Sequence, residues 1–219
     1  MDPIKKENLY VNVASSIEVV NGFINLDNHL FIRMLRFPKF FEFILPKKYQ
    51  KFFNAFVNAS KKASLVKHDC RKPLKFNNNS VDHILCSHFL EHVYPIEADV
   101  ILGDFNRVLK KGGTLHIIVP DLRIMIDQYL VSSTMGDPKA CDKLVEATLL
   151  TRRHRGTFLF RVLEFFGGYG LQHLWMYDAK SIKDKILANN FIVDDQIIVP
   201  SKSYREGDAS IHIFAVKKS

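Results

Sequence analysis

The chain has 219 residues, 47% of them hydrophobic, which suits one α/β domain with a full core. No apolar run approaches transmembrane length, and Met1 to Asn8 is charged with no apolar h-region, so neither a membrane span nor a signal peptide is expected. The three cysteines, Cys70, Cys86 and Cys141, form no CxxC pair and fit a reduced cytoplasmic protein. The formal net charge of +8 favours an anionic partner, although a Lys-rich soluble surface is the plainer account.

In chain order, Leu9 to Val13 reads as a first strand. Ala14-Ser15-Ser16 follows, and Gly22 to Asp27 leads through a second strand that ends in an acid. The link between them leaves little room for a helix. From Asn28 to Lys62 the composition changes. Eight Phe (31, 37, 40, 41, 43, 52, 53, 56) and a set of Lys and Arg face a single acid, Glu42. Pro38 and Pro46 should break this segment into helical pieces. Tyr49, Phe52, Phe53, Phe56 and Val57 form one apolar stripe. A packed helical insertion with solvated cations is the plain reading. An interfacial surface that meets lipid, or a lipid-like acceptor, is the functional one.

Ser64 to His68 reads as a third strand, with Asp69 at its end. Val81 to Cys86 and Leu115 to Val119 are short apolar runs rich in β-branched residues, as expected of strands buried on both faces. Between them Ala98, Ile101, Leu102, Phe105, Val108 and Leu109 recur at helical steps, and Gly112-Gly113 is expected to cap that helix. Strand, crossover helix and strand make a parallel βαβ unit. Ligands of open α/β sheets lie beyond the carboxyl ends of the strands. Here those ends are Cys70, Ser87-His88 and Pro120-Asp121.

After Asp121 the pattern is helical to about Leu149. A basic cluster at Arg152-Arg153-His154-Arg155, an aromatic run from Phe158 to Phe166 and a glycine-rich turn at Gly167 to Gly170 follow. Asp178 should cap a helix with Ala179, Ile182 and Ile186 on its apolar face, and Asn190 suits its left-handed end. Phe191 to Val199 and Ala209 to Val216 should close the sheet. His83 and His116 fall within strands and read as core or sheet-face residues. Glu91 and Arg107 are expected to pair.

The order from His68 to Asp121, with its "LEH … RVLKKGG … VPD" pattern, resembles the class I S-adenosylmethionine-dependent methyltransferases. The resemblance covers roughly Tyr10 to Asp27 and Leu65 to Val216. It implies a three-layer, Rossmann-like α/β sandwich with a mostly parallel seven-stranded sheet and an antiparallel closing strand. The chain would be a single domain, 1–219, with 28–62 as an insertion and 122–177 as a helical segment on the acceptor side. The resemblance also implies S-adenosylmethionine as cofactor. Ala14, Ser15 and Ser16 would stand in the turn where the family usually has glycines. Asp27 would hold the ribose, Asp69 and Cys70 the adenine, and Cys86 and Ser87 would close the site from the fourth strand.

The implied reaction is methylation, most simply O-methylation, of a small-molecule or a sugar- or lipid-linked anionic acceptor in glycan biosynthesis. A hydroxyl acceptor must lose a proton, and His titrates near neutrality. His88 is the first candidate base, His173 the second, and His92 lies about one helical turn beyond His88. No metal is required. Peripheral membrane contact through 28–62 is expected and a nucleic-acid partner is disfavoured. Loss of the turn glycines leaves a non-catalytic protein on the same fold as the main rival. His88-Phe89-Leu90-Glu91-His92 also matches H-x-x-E-H, the inverted zinc-protease motif, but it abuts a strand.

Overall fold

The computed structural model describes residues 8–151, 172–194, 196 and 209–218. The expected sandwich is what the chain forms. One sheet of seven strands runs in the order β3-β2-β1-β4-β5-β7-β6. Its strands are β1 (Tyr10–Val13), β2 (Ile24–Asp27), β3 (Leu65–Lys67), β4 (Val81–Ser87), β5 (Leu109–Pro120), β6 (Phe191–Val193) and β7 (Ser210–Lys217). The pairs from β3 through β5 are parallel, and β7 runs antiparallel to both β5 and β6.

The crossover helix α4 (Pro95–Val108) joins β4 to β5, and α7 (Ala179–Ala188) precedes β6. Pro95 needs no hydrogen-bonded amide at its first-turn position, and Glu97 accepts from the Tyr94 amide at 2.8 Å. The buried face of α4 is Ala98, Ile101, Leu102, Phe105 and Val108, the set the periodicity predicts, and it joins Ile84, Cys86, Leu115 and Ile117 in the main core. Asp178 caps α7 by accepting from the Ser181 amide at 2.7 Å, and Asn190 takes φ +62° after its end.

Two expectations change here. Gly112 and Gly113 do not cap α4. The helix ends as Leu109 turns extended, and both glycines lie inside β5. The register there jumps from Val81–Leu109 to His83–Thr114, so extra β5 residues bulge out of the ladder. Gly112 has φ +72°, and a Cβ on Gly113 would stand 2.8 Å from the Lys110 carbonyl oxygen. Nor does Glu91 meet Arg107. The guanidinium instead binds Asp104 at 2.7 Å and the Leu74 and Phe76 carbonyls, bracing the loop into β4.

No helix separates β1 from β2, as the short link foretold. Asn12 and Asn25, both buried, bond to each other at 2.9 Å, and Asn25 also holds Val20, Phe23 and Ser64 through backbone contacts. A polar network thus organises the 14–23 loop against the sheet. The following insertion is helical in three pieces: α1 (Leu30–Met34), α2 (Pro38–Ile44) and α3 (Lys47–Lys62). Phe31, Phe53 and Phe56 form a small core of their own, whereas Phe37, Phe40, Phe43, Tyr49 and Phe52 remain exposed. Beyond β5 come α5 (Leu122–Thr134) and α6 (Ala140–Ala147). The basic cluster, aromatic run and glycine turn of 152–170 lie outside the described residues.

Candidate active site

Val13 pairs with Cys86, so Ala14, just past β1, and Ser87, the last residue of β4, lie side by side. Around them is a cavity of about 330 Å³ lined by Asn12, Ala14, Ser15, Ser16, Ile17, Glu18, Phe52, Ser87 and His88. It stands at the carboxyl ends of β1 and β4, where a parallel sheet presents its ligand site.

The turn keeps a glycine-like backbone without glycine. Ala14 has φ +53° and Ser16 φ +48°, a conformation that costs an L-residue roughly 1–2 kcal/mol. Hydrogen bonds hold it there. The Ser15 amide donates to the Leu26 carbonyl and the Ser16 amide to Asp27 Oδ2, each at 2.9 Å. The other Asp27 oxygen accepts from the His29 amide at 2.6 Å. Each carboxylate oxygen has a further lone pair, so Asp27 keeps capacity for ribose hydroxyls. The Ser15 hydroxyl is buried and has no hydrogen-bond partner among the described residues. A polar cofactor edge would supply one, and on that ground the turn fits the nucleoside moiety of S-adenosylmethionine.

The remaining expected cofactor contacts divide. Ser87 lines the cavity. Asp69 does not reach it; Arg71 takes both carboxylate oxygens at 3.0 Å and holds that carboxyl below its ordinary range. The side chains of Cys70 and Cys86 do not line it either. Both thiols are buried in the main core, and burial pushes Cys70 up to about 12 and raises Cys86 strongly. Asn12, Glu18 and Phe52 were not read as site residues. The signal for Asn12 was available: an Asn inside a buried apolar strand needs a reason. Phe52 gave none, because only the tertiary fold brings α3 over the strand ends.

The three candidate histidines occupy two layers. His88, with φ +51°, lines the cavity; its Nδ1 lies 3.2 Å from Glu91 Oε1 and its Nε2 3.4 Å from the Ser210 hydroxyl. His92 and His173 sit deeper, their rings 5.0 Å apart and perpendicular. His92 Nδ1 faces the Gln172 carbonyl at 3.1 Å. His173 is buried, and desolvation lowers it from its ordinary value despite the opposing field of Glu91. It does not line the cavity. Leu90–His92 is a single 3₁₀ turn, so the H-x-x-E-H residues do not lie on the helix that a zinc protease needs.

Residues 46–117 match a family model described as a methyltransferase domain. The match spans α3 to β5 and stops short of the Ala14–Ser16 turn. Among solved structures, the chain is similar to a SAM-dependent methyltransferase from Methanosarcina mazei (14% identity, TM-score 0.51, 98% of this chain and 94% of that one). It is also similar to the PH0226 protein of Pyrococcus horikoshii (12% identity, TM-score 0.51, 100% of this chain and 85% of that one). At such identity the likeness is one of fold. No curated protein matches. Over 46–117 the chain thus carries a methyltransferase-domain match, set within the seven-stranded fold described above.

Proposed function

We propose that the chain is an O-methyltransferase acting on a hydroxyl of an anionic small-molecule, sugar- or lipid-linked acceptor, with His88 as general base. The observation that carries this reading is the placement of His88. Among the described residues it is the one histidine on the cavity wall, and the buried Glu91 carboxylate backs it at 3.2 Å. S-adenosylmethionine supplies an electrophilic methyl group. The chain's part is to hold the acceptor at near-attack distance, exclude water and remove one proton. Glu91 orients the imidazole and stabilises its charged form, as a positioning residue.

Phe52 supports the lipid-linked branch. It lines the cavity and is itself exposed, as are Phe37, Phe40, Phe43 and Tyr49 of the same insertion, which also carries Arg36 against Phe37 and Lys48 against Tyr49. Aromatic side chains flanked by cations suit the headgroup region of an anionic membrane. No helix among the described residues is long and apolar enough to cross one. A glycan-building pathway and a peripheral cytoplasmic location follow from this reading.

Calorimetry with S-adenosylmethionine and its demethylated product tests the foundation, with micromolar-range binding expected. Methyl transfer to polyprenyl-phosphate sugars is then measured. His88→Ala should lower turnover about a hundredfold while leaving cofactor affinity nearly unchanged. A loss of only a few-fold refutes the base assignment. Absence of heat with either ligand in folded protein favours a non-catalytic role. Flotation with anionic but not neutral vesicles, reversed by salt, is expected of the aromatic face. Equal recovery with both vesicle types refutes it.

A further inference from the structure

We propose that Glu91, His92 and His173 form a binding site for a divalent transition-metal ion of the zinc class. Glu91 and His92 sit on the 3₁₀ turn that follows β4. His173 arrives from the segment before α7 and is fixed there by backbone bonds on both sides. Its own amide donates to the Leu149 carbonyl at 3.1 Å, and the Leu174 and Trp175 amides donate to the Glu91 carbonyl at 2.7 and 3.1 Å. One ligand atom from each of the three side chains lies within 4.8 Å of the other two.

A second observation points to a cation. Glu91 is fully buried, yet its Oε2 has no hydrogen-bond partner among the described residues. Oε1 is engaged by His88, so Oε2 is the oxygen left for a metal. A buried carboxylate oxygen without a partner is costly, and coordination removes that cost. His92 shows the arrangement common to metal-binding histidines. Its Nδ1–H donates to the Gln172 carbonyl, which can only accept, so the lone pair is on Nε2. Two imidazoles and one carboxylate are a borderline donor set that suits zinc and leaves a fourth position for water.

This set is not the H-x-x-E-H motif. His88 stays on the cavity wall, and His173 takes its place from a remote part of the chain. Occupancy would tie the 172–175 segment to the end of β4. It would also fix Glu91 behind His88. The inference does not depend on methyl transfer.

Chelator-treated protein is titrated with zinc by calorimetry and, separately, with cobalt(II) by visible absorption. One zinc per chain and the intense ligand-field bands of four- or five-coordinate cobalt are expected. His92→Ala and His173→Ala should each weaken zinc at least a hundredfold, whereas His88→Ala keeps the one-to-one stoichiometry. The cobalt spectrum of the unmutated protein needs no variant to fold. A spectrum of free hydrated cobalt, or zinc uptake unaltered by His92→Ala and His173→Ala, overturns the site.

Discussion

The two halves of the sheet present their strand ends to the same cavity by different means. The β4–α4–β5 half does so with apolar packing. Its strands are long, and its helix buries a continuous face against Ile84, Leu115 and Ile117. The β1–β2 half has strands of four residues and no helix between them. It relies on hydrogen bonds: the Asn12–Asn25 pair beneath, and Asp27 clasping the turn above. Packing tolerates variation in detail, because many contacts share the load. A hydrogen-bonded turn depends on a few groups, each of which must be present. The family match begins at residue 46, beyond this second kind of architecture.

Substitutions should separate the two halves. The largest loss of stability is expected in the packed half. Phe105→Ala empties the centre of the α4 face and should cost about 3–5 kcal/mol, read by denaturant unfolding. A cost under 1 kcal/mol would show that this half does not depend on the α4 face.

Acid should find the seam between the halves. His83 on β4 is buried edge-on against Phe23 and Tyr10, and desolvation pushes it down to about 4. His116 is likewise pushed down to about 3 by burial, with His212 and His83 adding to the effect. Both are neutral in the folded chain. Unfolded histidine binds a proton near 6.5, so only the unfolded state gains protons as pH falls from about 6.5 towards 4. Stability is therefore lost in that window and is fully present above it. For His83 alone the loss should reach about 3 kcal/mol. His83→Gln, whose amide can still meet Thr114, should flatten the pH dependence of Tm between 6.5 and 4; an unchanged slope would count against the assignment.

The hydrogen-bonded half should respond in binding before it responds in stability. Asp27→Ala removes two acceptors from the turn and the expected ribose contact. Cofactor affinity should fall by about ten- to a hundredfold, in line with charge-assisted bonds of about 1.5–3 kcal/mol. Unaltered affinity in calorimetry would remove Asp27 from the site. Ser16→Gly is the mildest test. It relieves a left-handed φ of +48° but loosens the unfolded chain, so the net change in stability should be about 1 kcal/mol or less. Any appreciable gain in cofactor affinity would show that the present turn is held back by its side chain.

The sequence by itself determined the sheet and its crossover. Apolar runs of strand length and a helical period between them leave few other ways to bury the same surface. Ala98 to Val108, the Asp178 cap and the left-handed Asn190 were all legible, because each rests on local backbone chemistry or short-range periodicity. The glycine pair misled for the same reason. Gly112 and Gly113 follow a helix, and only the pairing of β5 with β4 turns them into a bulge. The cavity was legible where it coincides with strand ends, at Ala14 to Ser16, Ser87 and His88. It was not legible where it depends on long-range partners. Tertiary structure alone put both cysteines in the core, brought Phe52 over the cavity and set His173 beside Glu91 and His92. Those choices are made by which surfaces meet, and no spacing along the chain records that.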